Sequence, residues 1–455
     1  MDSEYFKKQY VTFFKSVPNL KPLGDFVQEG YRVVYENTEV LDAVTGKESD
    51  FPIFIQAADL ETPFIKKDNL YYVHERDWIR YPKGRVNAGE LLIEVKGKIE
   101  KVSIVPDDFP KKALVTGSLY KLSVNEKINK YYLLSYLICK YGTAFKDRYK
   151  TNLLISFVSK DDLYRIPVPD LSAAFQKKIE FLFLSLFDLK QKSLNIYAQA
   201  ETLLLDTLGM ANFTPSREPV NIKSFKESFG QSGRLDAEHY QHQYDDIEKL
   251  IENYNGGYSN ISELTSEMMN GAEVREYQEE GVAYLRVGDL KNLDIDVNSV
   301  VRIDPTQAAS GLNKIKLKAG DVLVSRSGSL AVTAVVEAEW ENSLISSHLI
   351  RLRVADKRID PYFLAFFLSV LPGKKQIIKW SNGGVQPEIN QPSLNSILIP
   401  ILDFSMQQQI RQSLLESRLL RQMSKSLLDV AKRAVEIAIE QDEAAALAFI
   451  EAEAL

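Results

Sequence analysis

The chain repeats itself. Val86-Asn87-Ala88-Gly89-Glu90-Leu91-Leu92 resembles Leu317-Lys318-Ala319-Gly320-Asp321-Val322-Leu323, and Gly97 falls on Gly328 at the same spacing. Ala58-Asp59-Leu60 matches Gly288-Asp289-Leu290, and Leu114 to Leu119 matches Leu344 to Leu349. Ile128-Asn129-Lys130-Tyr131-Tyr132-Leu133 matches Ile359-Asp360-Pro361-Tyr362-Phe363-Leu364, and Ile166-Pro167-Val168 matches Ile399-Pro400-Ile401. These blocks keep one order and a separation of about 230 residues, which two diverged copies of one unit explain and chance does not. A fold for this chain is therefore a fold for one copy, made twice.

Within each copy, short runs of Val, Ile, Leu and Tyr are separated by Gly, Asn, Asp and Pro, the pattern of strands and turns. Glu90 to Val95, Val322 to Arg326, Thr333 to Glu337 and Leu349 to Val354 are examples. An Ile/Leu/Pro segment closes each β-rich part and a long helical stretch follows. In the first stretch Ile179, Leu182, Leu186, Leu189, Ser193, Ile196, Ala200 and Leu203 alternate by three and four, a heptad seam with one polar interruption. In the second, Leu420, Met423, Leu427, Val430, Ala434 and Ile437 keep that alternation, and Ser424 is the repeat counterpart of Ser193. A core-facing amphipathic helix would give the same pattern. The repeat tips the balance, because equivalent helices can pack on each other through equivalent seams.

The expected fold is α+β: two tandem β-rich domains and two long helices in an antiparallel coiled coil, with a pseudo-two-fold internal repeat. The expected boundaries are a first β-rich domain at 1–174, a helix at 175–209 and a linker at 210–233; a second β-rich domain follows at 234–404, a second helix at 405–440 and an acidic helical tail at 441–455. Helices of about 30 residues make a pair about 45 Å long. One turn of B-DNA is about 34–36 Å. Two readers mounted on such a pair would suit half-sites about a turn apart.

Composition narrows the class. Of 455 residues only Cys139 is a cysteine, which excludes a disulfide framework and a cysteine-based zinc site and suits a reducing cytoplasm. No run of about 18 apolar residues predicts a membrane span, and Met1-Asp2-Ser3-Glu4-Tyr5 lacks the basic-then-apolar order of a signal peptide. The formal net charge is −6, and Glu436, Glu440, Asp442, Glu443, Glu451 and Glu453 near the C-terminus account for all of it. The remainder is neutral with local basic clusters, which permits nucleic-acid binding without requiring it. The Ala- and Glu-rich tail reads as a solvated helix end.

A family resemblance runs through these blocks. Arg234-Leu235-Asp236-Ala237-Glu238-His239-Tyr240, Tyr284 to Leu290, Ala319 to Gly328, Gly383-Gly384-Val385-Gln386-Pro387-Glu388-Ile389-Asn390, Ile399-Pro400-Ile401 and Gln407 to Ile410 together resemble the specificity subunits of type I restriction-modification systems. In the first copy the Gly-Gly loop is replaced by Lys146-Asp147-Arg148-Tyr149-Lys150-Thr151-Asn152. The resemblance implies two target-recognition domains, each reading one part of an asymmetric bipartite site on double-stranded DNA. It implies spacer helices in an antiparallel coiled coil and two methyltransferase subunits as partners, with a motor-nuclease subunit as a further one. S-adenosylmethionine would be the methyltransferase's cofactor, and this chain would hold none. The function implied is host defence against foreign DNA.

Arg and Lys suit guanine edges and phosphates, Asn and Gln suit adenine. In the second copy Arg326, Ser327 and Ser329 around Gly328 offer a guanidinium, hydroxyls and close backbone approach. Ser346 and His348 lie at the start of a strand. Lys375, Lys379, Asn382, Gly383, Gly384 and Gln386 form a basic, polar, glycine-rich stretch beside Trp380. In the first copy Lys96, Lys98 and Lys101 stand where Arg326 stands in the second, and Lys146, Arg148, Tyr149 and Lys150 interleave bases with aromatics. Each cluster alone also fits a solvated loop.

Rival chemistry finds little support. A methyltransferase needs a glycine-rich cofactor loop and an Asn/Asp-Pro-Pro-aromatic loop, and a nucleotide hydrolase a Gly-Lys-Ser/Thr loop; the sequence has none of these. Glu94-Val95-Lys96 mimics part of a nuclease site, but its repeat counterpart Ser325-Arg326-Ser327 has no carboxylate. His239 and His242 could share a metal only with a third ligand; an exposed helix face is the expectation, and no metal site is expected. His348 reads as a hydrogen-bonded strand residue. The alternative to a DNA reader is a non-catalytic adaptor without base-specific readout.

Overall fold

The computed structural model describes residues 19–33, 38–41, 51–66, 70–151, 154–214, 216, 218, 220–291, 293–309, 315–383 and 386–453. The chain divides into two compact units, Met1–Lys190 with Arg421–Leu455, and Gln191–Leu420.

Each unit is built on a four-stranded antiparallel sheet with one strand order. In unit 1 it runs Val27–Arg32, Leu119–Val124, Leu91–Glu94, Val102–Ile104. In unit 2 it runs Thr265–Asn270, Leu349–Val354, Val322–Ser325, Thr333–Val335. Both sheets shift register in the pairing of their first two strands, at Ser123/Val124 and at Thr265/Glu267. All four residues of Leu91–Glu94 and of Val322–Ser325 are buried, which is why these strands read as unbroken apolar runs. Their alternate residues serve two cores. Leu91 and Ile93 pack with the helix Lys130–Ile138, whereas Leu92 joins the core around Ile55 and Val115. Val322 and Val324 likewise pack with the helix Pro361–Ser369, and Leu323 with Leu285 and Ile345. A second sheet, four-stranded in unit 1 and three-stranded in unit 2, carries a parallel pair in each, Ile53–Ile55 with Ala113–Val115 and Tyr284–Leu285 with Leu344–Ile345.

The repeat extends to individual hydrogen bonds. Asn129 caps its helix by accepting from the Tyr131 amide at 2.9 Å, and Asp360 accepts from the Tyr362 amide at 2.8 Å. Buried Gln176 accepts from the Asn129 amide at 2.8 Å and donates to the Leu171 carbonyl at 2.9 Å. Gln407 does the same with the Asp360 amide and the Leu402 carbonyl, both at 2.8 Å. These glutamines satisfy groups at both the capped helix and the long helix, so one side chain ties β-rich part to spacer in each unit.

The long helices are Ala173–Thr207 and Phe404–Glu440, and each unit contains part of both. In unit 1 the Ser424 hydroxyl donates to the Leu186 carbonyl at 2.8 Å, while Glu443, just beyond the second helix, meets Ser172, just before the first. In unit 2 Ser193 bonds Ser417. Within each unit the helices therefore pair antiparallel. Ile179, Leu182, Leu186, Val430 and Ile437 are buried as the heptad reading expects, and Leu189, Ile196, Leu203, Leu420 and Leu427 are half-buried. Met423 departs from it: it is 45% exposed and Ser424 is buried instead. Leu204 likewise replaces Leu203 as the fully buried residue. In the second helix the buried Ile410, Ser417, Ser424, Ala431 and Ala438 keep a seven-residue spacing, so the heptad reading there was set one residue early. In the first, a straight helix drifts about 20° per heptad, which carries the buried face toward Leu204 at its end.

The C-terminal tail is a correction. The helix Glu443–Glu453 is docked rather than a solvated end: Ala446 and Ile450 are fully buried in the unit 1 core. The Glu443 carboxylate accepts from the Ser172 amide at 2.8 Å and from its hydroxyl, while Ser172 Oγ accepts from the Phe175 amide at 3.2 Å. A carboxylate thus sits at the start of the first long helix, where free amides and the helix dipole favour negative charge. Among the described residues no helix is long and apolar enough to cross a membrane.

Candidate nucleic-acid interface

In unit 2 four stretches distant in sequence line one cleft of about 410 Å³: Glu273 to Tyr277, Tyr284 to Gly288, Ser327 to Ser329, and Ser346 to His348, with Gln386 beside them. Ser327, Ser329, Ser346, His348 and Gln386 were all candidates from the sequence, and the fold brings them together. The strand Val322–Ser325 ends at Ser325, and the following turn is pinned to its neighbours. The Arg326 amide donates to the His348 carbonyl at 2.9 Å, and the Ile389 amide donates to the Arg326 carbonyl at 2.8 Å. Gly328 takes a positive φ of 75°, a conformation that glycine adopts at no steric cost. Asn382 and Glu388 exchange backbone hydrogen bonds at 2.7 and 2.8 Å, with Gly383 and Gln386 in the chain between them; Gly384 lies outside the described residues.

Inside the cleft, Ser327 Oγ lies 2.5 Å from His348 Nδ1. Ser346 Oγ is buried and has no hydrogen-bond partner among the described residues. The Tyr284 hydroxyl donates to the Ala272 carbonyl at 2.6 Å and accepts from the Val274 amide at 3.2 Å, fixing the 272–274 turn at the rim. The guanidinium groups are committed: Arg326 to Glu388, Arg286 to Asp289 at 3.2 Å and to the Ser299 carbonyl at 2.7 Å, Arg275 to Glu273 at 2.8 Å. Arg275, Tyr277 and Arg286 are cleft residues the sequence candidates did not include. Tyr284-Leu285-Arg286 belongs to a block of the resemblance, but nothing local said that it shares a cleft with the Ser327 turn.

The basic clusters behave differently. Lys379 is buried, with its ammonium on both Glu248 carboxylate oxygens at 2.6–2.7 Å, and Lys375 donates to Gln243 at 3.0 Å. Both lie on the helix Leu371–Trp380, and Asn382 is exposed just beyond it. In unit 1 Lys96 and Lys98 are exposed, and Lys101 donates to the Ala57 carbonyl at 3.0 Å. Lys146 is 1% exposed and donates inward to the Glu100 carbonyl at 2.8 Å. Burial among apolar neighbours lowers its pKa to about 8. Lys150 pairs with Asp147 at 2.7 Å, Tyr149 donates to the Arg165 carbonyl at 3.5 Å, and Arg148 lies over the Tyr149 ring. Lys146, Arg148 and Tyr149 belong to the helix Lys140–Tyr149, the counterpart of Leu371–Trp380. Beyond that helix the Thr151 amide donates to the Phe157 carbonyl at 2.8 Å, and Asn152, the last residue of the stretch that replaces the Gly-Gly loop, lies outside the described residues. Periodicity could have placed Lys146 on the inner face of that helix; its basic character hid this.

The rival sites dissolve. Glu94 accepts from the Glu100 and Lys101 amides at 3.0 and 3.2 Å and closes a hairpin. His239 is buried against the Lys379 carbonyl, not on an exposed helix face, and desolvation lowers its pKa. His242 instead contacts the Val220 carbonyl at 2.9 Å. Among the described residues no cluster of His, Cys, Asp and Glu could hold a metal ion.

Residues 265–416, which contain the whole cleft, match the family model "Type I restriction modification DNA specificity domain". The match thus falls on the second copy, where most blocks of the sequence resemblance also lie. The chain is similar to the solved S subunit of a type I system from M. genitalium, at 12% identity over 93% of this chain and 95% of that one, with a TM-score of 0.42. It is also similar to the HsdS subunit from Thermoanaerobacter tengcongensis, at 13% identity over 93% and 97%, with a TM-score of 0.27. A third likeness is to a chain from a study of complex assembly and conformational transition of the type I R-M system, at 12% identity over 93% and 98%, with a TM-score of 0.31. No curated protein matches.

Proposed function

We propose that this chain is the non-catalytic specificity subunit of a type I restriction-modification complex and reads a bipartite, asymmetric DNA target, one part with each unit. The observation that carries the reading is the unit 2 cleft, where stretches from 273 to 386 converge within the segment that matches the specificity-domain family. Its lining of hydroxyls, an imidazole, a carboxamide and guanidinium groups is the inventory that reads base edges and phosphates. Unit 1 keeps the framework with different residues at the matching turn, Lys96 and Lys98 in place of Ser327 and Ser329. Two readers of one build with different contact residues suit two unlike half-sites. The chemistry belongs to partners: two methyltransferase subunits using S-adenosylmethionine, with a motor-nuclease subunit in the restricting form.

The test is methylation mapping of the assembled methyltransferase complex. Replacing residues 234–404 by the corresponding segment of another specificity chain is expected to change one half of the modified motif and leave the other. Duplex binding by the complex should weaken steeply with salt. Absence of any motif, or a motif indifferent to the exchange, would identify an adaptor instead.

A further inference from the structure

We propose that His348 reads a guanine in the half-site of unit 2, with Ser327 as the residue that positions it. The inference rests on the reading of this cleft as a DNA-contacting surface, and it deepens that reading by naming a base and its reader.

His348 is held at two points by the turn that faces it. Its carbonyl accepts from the Arg326 amide at 2.9 Å, and its Nδ1 lies 2.5 Å from the hydroxyl of buried Ser327. The imidazole plane is thereby fixed while the side chain stays exposed in the cleft. We assign the Ser327 hydroxyl as the donor to Nδ1, the arrangement that leaves the ring hydrogen on Nε2. In that tautomer Nε2 is a donor to a ligand. The guanidinium groups around the cleft each have a carboxylate partner: Glu388 for Arg326, Asp289 for Arg286, Glu273 for Arg275. A base entering here must compete with those carboxylates for the arginines, whereas Nε2 faces no such competition from Ser327. The Ser346 hydroxyl, in the lining of the same cleft, has no partner among the described residues but is itself buried. The exposed donor is therefore Nε2, and it fits an edge made of acceptors. In the major groove guanine presents N7 and O6, both acceptors, and is the base that meets this requirement most fully.

The experiment maps the methylated motif of the complete methyltransferase complex carrying wild-type chain, His348→Ala, His348→Gln, Ser327→Ala or Ser327→Thr. The wild-type motif should hold a guanine in the half that moves when residues 234–404 are exchanged. His348→Ala and His348→Gln should each lower the preference for that guanine roughly tenfold, with every other position unchanged. Ser327→Ala should loosen the same position by less, and Ser327→Thr should restore it, because only the hydroxyl is required. An unaltered motif in both His348 variants overturns the proposal. So does uniform weakening at all positions with a shallower salt dependence, which would assign His348 to a phosphate. If the segment exchange moves half of the motif while the His348 variants do not, this inference alone fails. If the exchange moves nothing, the reading beneath it fails.

Discussion

Ser193 and Ser417 each donate a hydroxyl hydrogen to the other's main-chain carbonyl, at 2.7 and 2.9 Å, with their Oγ atoms 3.0 Å apart. Both are buried, and the exchange replaces a leucine layer in the seam of unit 2. Small side chains let the two backbones approach closely enough for a hydroxyl to reach across. The same device recurs in unit 1, where Ser424, the counterpart of Ser193, donates to the carbonyl of Leu186, the counterpart of Ser417. Removing one hydroxyl leaves a buried partner short of a bond, a loss of about 1–3 kcal/mol. Ser193→Ala and Ser417→Ala should each destabilise the chain by that order, and the double variant by clearly less than their sum. A double-mutant cycle in denaturant checks this, and strict additivity would refute the reciprocal exchange.

The docked tail makes unit 1 depend on the last residues of the chain. Ile450 is fully buried in that core, so Ile450→Ala should destabilise unit 1 by about 2–5 kcal/mol. Glu443→Gln keeps the shape but removes the charge at the helix start, and should lose about 0.3–1 kcal/mol, less at high salt. Hydrogen exchange should localise both losses to unit 1, at amides of residues 172–190 and 443–453. Unchanged protection there would show that the tail contributes nothing to folding.

This tail also shows where sequence reading runs out. Six carboxylates in a stretch, 435–455, that itself holds no Lys or Arg read as a solvated face, and nothing local announced that Ser172 waits for one of them. The repeat, by contrast, was legible because its blocks survive in residue types with fixed roles: Asn129 and Asp360 cap equivalent helices, and Glu90 and Asp321 accept from the Asn87 and Lys318 amides. The seam was legible to within one residue, since in the second helix small Ser424 and Ala431 hold the buried phase and larger apolar neighbours such as Met423 drew the heptad count to the position before it. Site residues were legible where backbone chemistry placed them. The Gly328 turn and the strand start at Ser346 to His348 put their side chains in one cleft. The lysines were not, because a basic side chain states its charge and not its direction. Lys146 and Lys379 both turn inward, to the Glu100 carbonyl and to Glu248.

Lys146 supplies a prediction with a sign. Burial lowers its folded-state pKa to about 8, below the value of about 10.4 for a free lysine. Between those values the unfolded chain binds more protons than the folded one, so stability from this group rises with pH through that window. Below pH 8 the full cost of a buried ammonium is present; above about pH 10 it is gone. Relative to Lys146→Met, the wild type should gain about 1–3 kcal/mol between pH 8 and 10. The difference isolates Lys146 from the buried tyrosines, whose raised values act in the opposite direction at the alkaline end. Parallel stability curves for the two proteins would place the ammonium in water.

Gly142 and Gly373 test whether the two copies obey one packing rule. Each lies near the start of a second helix, Lys140–Tyr149 or Leu371–Trp380, that follows closely on a first, Lys130–Ile138 or Pro361–Ser369. A Cβ on Gly142 would fall inside the contact distance of the Tyr136 carbonyl and the Leu137 backbone, and one on Gly373 inside that of the Phe367 carbonyl and the Leu368 backbone. The obstacle in both cases is backbone within a buried helix, which cannot rotate aside as a side chain could. Alanine normally favours a helix by about 1 kcal/mol over glycine, so propensity alone predicts stabilisation. Here the collision should win, because overpacking a rigid contact costs about 1–3 kcal/mol or more. Gly142→Ala and Gly373→Ala should therefore both lower the unfolding midpoint, and Gly→Ser no less. Stabilisation by either alanine would mean that the helix junction yields, and that the two copies share a sequence pattern there without sharing its packing.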